Sequence, residues 1–431
     1  MVHACDCSLD ATLHDLVKDY FAVESLGVNP TLTLESSEDQ RARLILQQTT
    51  KRTETGRFEC GLLWKSDKFE FPNSYVMAER RLVCLERKLK KDADLNRKVA
   101  EQIEEYLERG YAHKITDDEL RNSDPHRVWY LPLGVVQNPR KPGKVRIVWD
   151  AAARVGDVSL NSMLLAGPDL LTPLLKVMCG FRQRQYVSVG DVRQMFHQML
   201  VKEADRQALR FLYRQNAAQN PTIYVMDVVI FGASCSPCLA QYVKNLNASE
   251  FEHHYPEAAA AIINNTYVDD FLDSRDTIDE AVKIVEEVRM IYGKAGFEIR
   301  NWQSNSEEIL RRVGVDANDA AKRFSVEKLT IAERVLGMMW NPVDDMFVFT
   351  AQFRDDLLSL LSGEIVPTKR QVLRVVMSHF DPLGIVATYT VHGKILIQDV
   401  WRSGFRKLEA LGKVGAETIG GSSTEVLLSK L

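Results

Sequence analysis

The sequence lacks the long apolar segments that would place the chain in or across a membrane. No stretch approaches the roughly 20 apolar residues that a transmembrane helix requires. The first residues also lack the basic and then apolar pattern of a secretory signal peptide. From these absences we expect an intracellular protein, cytoplasmic or nuclear and not secreted.

Cysteine is scarce and scattered along the chain. There are seven cysteines, an odd number without a regular spacing, which predicts reduced thiols rather than a disulfide framework. Cys235 and Cys238 have the spacing of a zinc or redox pair, but no second pair and no histidine cluster accompanies them. We therefore do not expect a zinc site.

The chain also lacks an excess of positive charge. Its formal net charge is −4, which at first argues against a polyanionic partner, although global charge does not report on a local cleft. Basic residues cluster around one predicted turn, and they are Arg140, Lys141, Lys144 and Arg146. Taken alone, this cluster is as typical of a solvated hairpin tip as of a phosphate-binding surface.

Two adjacent carboxylates stand between short apolar segments. Asp269 and Asp270 lie in a pattern that predicts a β-hairpin with both acids at its turn. Like charges at a tight turn repel each other, so a bound cation would stabilise them. A hard divalent ion such as Mg²⁺ suits clustered carboxylate oxygens. Because an isolated Asp-Asp pair is more often an acidic surface turn, a further acid is needed to decide.

That further acid is Asp191, at the end of a predicted strand. Residues 185–191 alternate apolar and small polar side chains, as a half-buried strand does. An acid there, beside a hairpin carrying two more, can hold two metal ions about 3.5–4 Å apart. Such a pair activates a hydroxyl group and stabilises the leaving oxygen of an in-line phosphoryl displacement. The three aspartates therefore predict a two-metal site.

A series of short motifs follows along the chain, each weak alone but strong in order and spacing. They cover residues 130–136, 144–153, 159–161, 167–171, 185–191, 231–237, 267–270, 296–297, 302–305, 336–340, 368–373 and 380–384. In this order they resemble a reverse transcriptase, specifically the polymerase segment of LTR retrotransposons of the BEL/Pao type. The resemblance implies an RNA-directed DNA polymerase that adds deoxynucleotides to a primer 3′-end on an RNA or DNA template.

The resemblance also implies a metal site and its ligands. Two Mg²⁺ ions are expected, with Mn²⁺ as a possible substitute. Asp191 and Asp269 would bridge the two ions, Asp270 would support them, and Val192 would add its backbone carbonyl. Arg300 lies where the family tends to have a basic residue, but a general-acid role is disfavoured because guanidinium hardly deprotonates.

Contacts to nucleotide and primer are implied in the same way. Phe196 would pack beneath the sugar and exclude a 2′-hydroxyl, the alternative being an ordinary buried Phe. Gly232 would let the backbone approach the template–nucleotide pair. The nucleotide-binding residues implied are Lys144, Arg146, Phe196, Phe231 and Gly232. Primer-gripping residues would be Met338, Met339 and Trp340, in a segment that could equally be a core hairpin.

The expected fold class is α+β, a right-hand polymerase with fingers, a ferredoxin-like palm and a helical thumb. Residues 1–125 are expected to form a mainly helical appendage and residues 126–185 the fingers. Residues 186–325 would form the palm, with part of the fingers interleaved. Residues 326–431 would contain the primer-grip hairpin and the start of the thumb or connection.

Other functions remain open at this point. A decayed or host-adopted retroelement fragment could bind nucleic acid or protein without polymerising, although the intact aspartates argue against decay. An aspartic protease is disfavoured because no Asp-Thr/Ser-Gly signature occurs. The resemblance further implies a piece of a longer polyprotein, found in cytoplasmic virus-like particles or the nucleus, whose RNase H, integrase and protease domains are missing here.

Overall fold

The computed structural model describes residues 35–137, 145–315, 333–348, 368–378 and 381–402. The α-helices there are α1 (Ser37–Thr49), α2 (Tyr75–Leu89), α3 (Ala93–Glu108), α4 (Asp117–Asn122), α5 (Leu160–Met163), α6 (Leu174–Phe181), α7 (Glu203–Arg206), α8 (Ser236–Ser249), α9 (Pro256–Asn264), α10 (Ile278–Lys294), α11 (Glu307–Arg312), α12 (Lys369–Val376) and α13 (Ala387–Arg402). The 3-10 helices are η1 (Pro125–Arg127), η2 (Met195–Gln198) and η3 (Gln207–Leu209).

The strands of the same ranges form several small sheets. They are β1 (Lys51–Arg52), β2 (Phe58–Cys60), β3 (Ala112–Lys114), β4 (Tyr130–Leu131), β5 (Leu133–Gln137), β6 (Val145–Trp149), β7 (Tyr186–Val192), β8 (Leu200–Val201), β9 (Arg210–Tyr213), β10 (Thr222–Met226), β11 (Thr266–Tyr267), β12 (Asp270–Arg275), β13 (Ile299–Ser304), β14 (Glu333–Val335), β15 (Met338–Asn341) and β16 (Met346–Val348). Helices and mainly antiparallel sheets are thus combined, which confirms the α+β class.

The central sheet has the strand order β11-β12-β7-β13, with every neighbour antiparallel. Along the chain these strands alternate with helices as β7, α8, β11, β12, α10 and β13, with α9 added before β11. This is the ferredoxin-like βαββαβ arrangement that the sequence predicts. Its helices cover one face, because α10 packs against β7 and β12 as well as against α8 and α9.

Helix α10 illustrates how the local sequence sets an element of this layer. Thr277 and Glu280 form the predicted capping box, in which each side chain accepts a hydrogen bond from the other residue's backbone N–H. The helix then keeps an apolar stripe at helical spacing, and that stripe is buried against the sheet. The buried residues of α10 are Ala281, Val282, Ile284, Val285, Val288, Ile291 and Tyr292.

The described part of the N-terminal segment is built into the rest of the fold. Strand β2 pairs in parallel with β8, and β3 pairs with β10 in the four-stranded sheet β3-β10-β9-β4. One hydrophobic core joins Phe58 and Leu62 to Met199 and Val201. The apolar residues of this segment complete a core that would otherwise face water. No structural break therefore coincides with the boundary expected near residue 125, and the extents of the four regions stay predictions.

The hairpin near the end of the described chain packs on α6. Strands β14, β15 and β16 form an antiparallel sheet in that order. Leu336 and Gly337 make the two-residue turn between β14 and β15, and both have positive φ (+49° and +88°), as a type I′ hairpin turn requires. None of the helices within the described ranges is long and apolar enough to cross a membrane.

Candidate active site

The register of the central sheet brings the three predicted acids together. Asp191 on β7 is the direct cross-strand partner of Asp270 on β12. Asp269 precedes Asp270 in the turn, and its carbonyl oxygen accepts a hydrogen bond of 2.8 Å from the backbone N–H of Val192. Residues that are almost 80 positions apart in sequence therefore occupy adjacent backbone positions, because antiparallel pairing places the end of one strand beside the start of the other.

The turn that carries Asp269 has a strained backbone. Tyr267 and Asp270 are cross-strand partners, so Val268 and Asp269 form a two-residue turn. Val268 has φ +55°, a left-handed conformation that is unusual for a β-branched residue and costs about 1–3 kcal/mol. The buried side chain of Gln241 on α8 donates a 3.0 Å hydrogen bond to the carbonyl oxygen of Val268 and so helps to hold the turn.

Burial and like charge raise the pKa values of both turn carboxyls. Partial burial, followed by the negative charges of Asp269 and Asp191, raises the pKa of Asp270 to about 7. The pKa of Asp269 is raised by burial first and by Asp191 second, and the positive charge of Arg146 opposes this shift. The cluster is therefore costly as three free anions at neutral pH, and a nearby cation would relieve the cost.

Asp191 has two further neighbours on β13. Arg300 is its cross-strand partner, with Nε 3.6 Å from Asp191 Oδ2. The Nδ2 amide of Asn301 donates to the same oxygen at 3.4 Å. Asn301 lies in a β-bulge between Arg300 and Gln303 and has φ +54°. Bulges re-aim side chains beside sites. Here the strand register places Arg300 beside Asp191, and the bulge that follows turns Asn301 toward the same carboxylate. Arg300 is placed as a counter-charge to the carboxylate.

The ligand atoms available at the three aspartates are of the type that a hard divalent cation prefers. Three carboxylates and a nearby backbone carbonyl all supply oxygen. The raised pKa values of Asp269 and Asp270 are what unneutralised carboxylates show. Within the described ranges, however, no three His, Cys, Asp or Glu side chains are gathered closely enough to form a ready metal site. Carboxylates repel one another when no cation lies between them. The support for a cation site is therefore the kind of ligand atom and the adjacent backbone positions of the three aspartates, and not a formed coordination geometry.

Two family models match separate parts of the chain. Residues 155–304, which contain β7, the acidic turn and β13, match the model described as reverse transcriptase (RNA-dependent DNA polymerase). The chain contains a reverse transcriptase domain. Residues 368–417 match a Pao retrotransposon-like RNaseH-like domain, and the two matches together confirm the predicted relationship to BEL/Pao-type retrotransposons. Reverse transcriptases generally use divalent metal ions.

The second match corrects one expectation from the sequence. RNase H was expected to be missing, but the matched stretch includes α12 and α13 of the described chain. The resemblance to the polymerase segment implied that the RNase H domain lies outside this chain. The match to residues 368–417 was not expected from the sequence, because this stretch is too short to resemble a complete domain.

Solved structures of foamy viral protease-reverse transcriptase are among those similar to this chain. The enzyme described as "dRH" in complex with double-stranded DNA is 17% identical, covers 63% of this chain and has a TM-score of 0.39. The complex with an RNA/DNA hybrid is 16% identical, covers 65% and has a TM-score of 0.40. This chain spans 37% and 30% of those two proteins. No curated protein sequence matches it.

The predicted sugar-contacting phenylalanine of the reverse transcriptase domain lies just past Asp191, on η2. This residue is Phe196. It is partly buried, and its ring centroid is 4.6 Å from that of Phe231. Phe231 is 36% exposed. Helix η2 is a short 3-10 turn that follows Gln194, whose φ is +45°. The two predicted nucleotide-contacting rings are thus brought together.

Gly232 is fixed by a close backbone approach. It has φ +117°, and a Cβ atom there would lie 2.2 Å from the carbonyl oxygen of Trp149 on β6. Asn161 fastens the same loop, since its Nδ2 donates to Gly232 O at 3.0 Å and its Oδ1 accepts from the Ser234 N–H at 2.9 Å. Sequence reasoning included residue 161 in a motif but assigned it no role. The glycine is required by the scaffold itself, whatever binds above it.

The basic hairpin β5–β6 contributes Arg146 to the site. Arg146 is exposed on β6, and its charge is near enough to Asp269 to act on the pKa of that carboxyl. Lys144, the other predicted triphosphate contact, lies outside the described residues.

The predicted primer grip is mostly turned into the protein. Trp340 is fully buried, with its ring centroid 5.3 Å from that of Phe181 and its Nε1 donating to Asp345 Oδ1 at 3.0 Å. Met338 is also buried, and Met339 is half-buried. These contacts favour the core-hairpin interpretation for Trp340. Primer contacts by the three residues stay a prediction.

Cys235 and Cys238 are packed inside the protein at the start of α8. Both thiols are free and buried, and burial raises the pKa of each to about 12. Since the thiolate is the reactive and ligating form, these residues serve to pack the start of α8.

We predict that Gly232→Ala lowers the free energy of unfolding by about 1–3 kcal/mol, because a side chain at positive φ is strained and this one meets backbone. Chemical denaturation measures the change. Gly293→Ala is the matched control, since Gly293 lies in α10 with nothing within 4 Å of an added Cβ. Equal stability of the two variants would contradict the packing described for the loop.

Proposed function

We propose that the chain is an RNA-directed DNA polymerase that adds deoxynucleotides to the 3′-end of a primer. The main support is the cross-strand pairing of Asp191 with Asp270, beside Asp269 in the turn. The partly buried carboxyls of Asp269 and Asp270, with their raised pKa values, are suited to receiving a cation. The reverse transcriptase match spans all three residues.

Two Mg²⁺ ions, or Mn²⁺, would be held by Asp191, Asp269, Asp270 and the carbonyl of Val192, and would supply Lewis-acid activation of the primer hydroxyl and charge stabilisation. The remaining catalysis is positioning and electrostatics by the chain. Arg146 adds a positive charge near Asp269, where a triphosphate would arrive. Arg300 and Asn301 orient Asp191 through the contacts described above.

Phe196 and Phe231 would form the floor beneath the incoming nucleotide. Their tilted contact leaves the Phe231 ring 36% exposed to solvent. A rigid aromatic surface excludes a 2′-hydroxyl by shape, without any polar group that could bind one. Residues 126–185 would serve as fingers, residues 186–325 as palm and residues 326–431 as primer grip and thumb, which together would bind the template and primer largely through phosphates.

Primer extension with dNTPs and Mg²⁺ on an RNA template should detect activity in the wild type. The double variant Asp269→Asn, Asp270→Asn should lose at least about 100-fold of that rate, because the ligands for the stabilising charge are removed. A matched control is Asp117→Asn, Asp118→Asn, another adjacent pair, exposed in α4. An inactive wild type that still binds nucleic acid would instead support a non-polymerising retroelement fragment.

Phe196→Val should raise ribonucleotide incorporation about ten-fold or more relative to deoxynucleotide incorporation, since the ring that excludes the 2′-hydroxyl becomes smaller. The ratio of kcat/KM for dNTP and rNTP is the measurement. Phe251→Val removes a partly buried ring that packs on the core after α8 and should leave the ratio unchanged. An unaltered ratio in Phe196→Val would remove the sugar-selecting role from this residue.

A further inference from the structure

The hairpin formed by β1 and β2 reaches the segment that carries Phe196. Arg57, next to β2, donates from Nη2 to the carbonyl oxygen of His197 at 2.8 Å and from Nε to that of Gln198 at 2.9 Å. These two carbonyls directly follow Phe196 in the chain. One guanidinium group therefore holds the main chain immediately after the predicted sugar-contacting ring.

The segment requires such support because of its local structure. Helix η2 is a single 3-10 turn that follows Gln194 at φ +45°. The last carbonyls of a short helix have no partner within it, and if buried they need an external donor. The planar fork of an arginine can satisfy two neighbouring carbonyls at once, which a lysine ammonium does less well. Arg57 fills this requirement.

The side chains of η2 are also enclosed by residues that precede the predicted fingers. The His197 ring is 1% exposed, with its centroid 5.1 Å from that of Tyr106 and 5.2 Å from that of Tyr111. It also lies 5.1 Å from the ring of Phe231. The amide of Gln198 donates to the Tyr111 hydroxyl at 3.0 Å. Aromatic packing thus fixes the side chains, and Arg57 fixes the main chain.

Arg57 itself has little freedom to move, because its hairpin fits tightly on α10 and the loop after it. A Cβ atom on Gly296 would lie 2.9 Å from Cγ of Arg57, and one on Gly56 would lie 2.7 Å from the carbonyl oxygen of Lys294. Arg52 fastens the same hairpin by donating to the carbonyls of Gly56 and Lys294 at 2.8 and 2.7 Å. The two arginines differ in their partners. Arg57 donates to η2, whereas Arg52 donates to Gly56, Lys294, Asn247 and Glu250.

We infer that Arg57 is a positioning residue for sugar selection. By holding the carbonyls of His197 and Gln198, it keeps η2 in place and presses Phe196 against Phe231. The N-terminal hairpin thereby sets how strictly a ribonucleotide is excluded, although it contributes no side chain to the nucleotide itself. This inference rests on the proposed polymerase function.

The test compares dNTP and rNTP incorporation by the full chain in primer extension. Arg57→Gln should lower the ratio of kcat/KM for dNTP over rNTP about ten-fold, with a smaller change in dNTP incorporation alone. Arg57→Lys keeps the charge but cannot reproduce the fork, and it should give an intermediate ratio. Arg52→Gln is the matched control, because it removes a guanidinium from the same hairpin but neither of the bonds to η2, and its ratio should stay well above that of Arg57→Gln.

Thermal unfolding of each variant separates loss of fold from loss of selection, and Arg57→Lys serves as the reporting variant if Arg57→Gln does not fold. A wild type that fails to extend a primer with dNTPs contradicts the proposed function and this inference with it. A wild type that extends normally, with the same sugar ratio in the Arg57 variants as in Arg52→Gln, overturns the role of Arg57 alone.

Discussion

Three carboxylates on adjacent backbone positions are the constraint on which the rest of the structure depends. The pairing of β7 with β12 places Asp191 opposite Asp270, and the turn adds Asp269. Like charges in a partly buried place are unfavourable, as the raised pKa values of Asp269 and Asp270 show. A fold keeps such an arrangement only where surrounding contacts enforce it.

Those contacts come from several elements of the fold. Gln241 of α8 donates a hydrogen bond to the carbonyl oxygen of the strained Val268. The register of β13 places Arg300 beside Asp191, and its bulge adds Asn301. The hairpin β1–β2 supports η2, which follows the first acid in the chain. The N-terminal segment is consequently part of the scaffold of the site, and it shares one hydrophobic core with the central sheet.

Structural features that depend on a short stretch of sequence could be predicted. The alternation before Asp191, the Asp-Asp turn and the capping box of α10 each follow local rules, and the resulting succession of strands and helices along the chain fits a ferredoxin-like palm. Features that depend on distant partners could not be predicted. The bond from Arg57 to His197 joins residues 140 positions apart, and the parallel pair β2–β8 spans a similar separation. The burial of Trp340 likewise depends on Phe181, which no pattern near residue 340 reveals.

Magnesium-dependent stability of the wild type is the most direct measurement of the central claim. Asp270 has a pKa of about 7 in the folded chain against an ordinary value of 3.8. Without a cation it therefore lowers stability progressively as the pH rises from about 4 through 7, because the unfolded carboxyl ionises first. Bound Mg²⁺ should reverse this loss near pH 7, and 100-fold excess over its dissociation constant would contribute about 2.7 kcal/mol.

Thermal unfolding at pH 7, with and without Mg²⁺, is the measurement, made on the wild type and on Asp191→Asn. If the three aspartates bind a cation, Mg²⁺ should raise the melting temperature of the wild type and have much less effect on that of the Asp191→Asn variant. The same response in both proteins, or none in the wild type, would contradict the account.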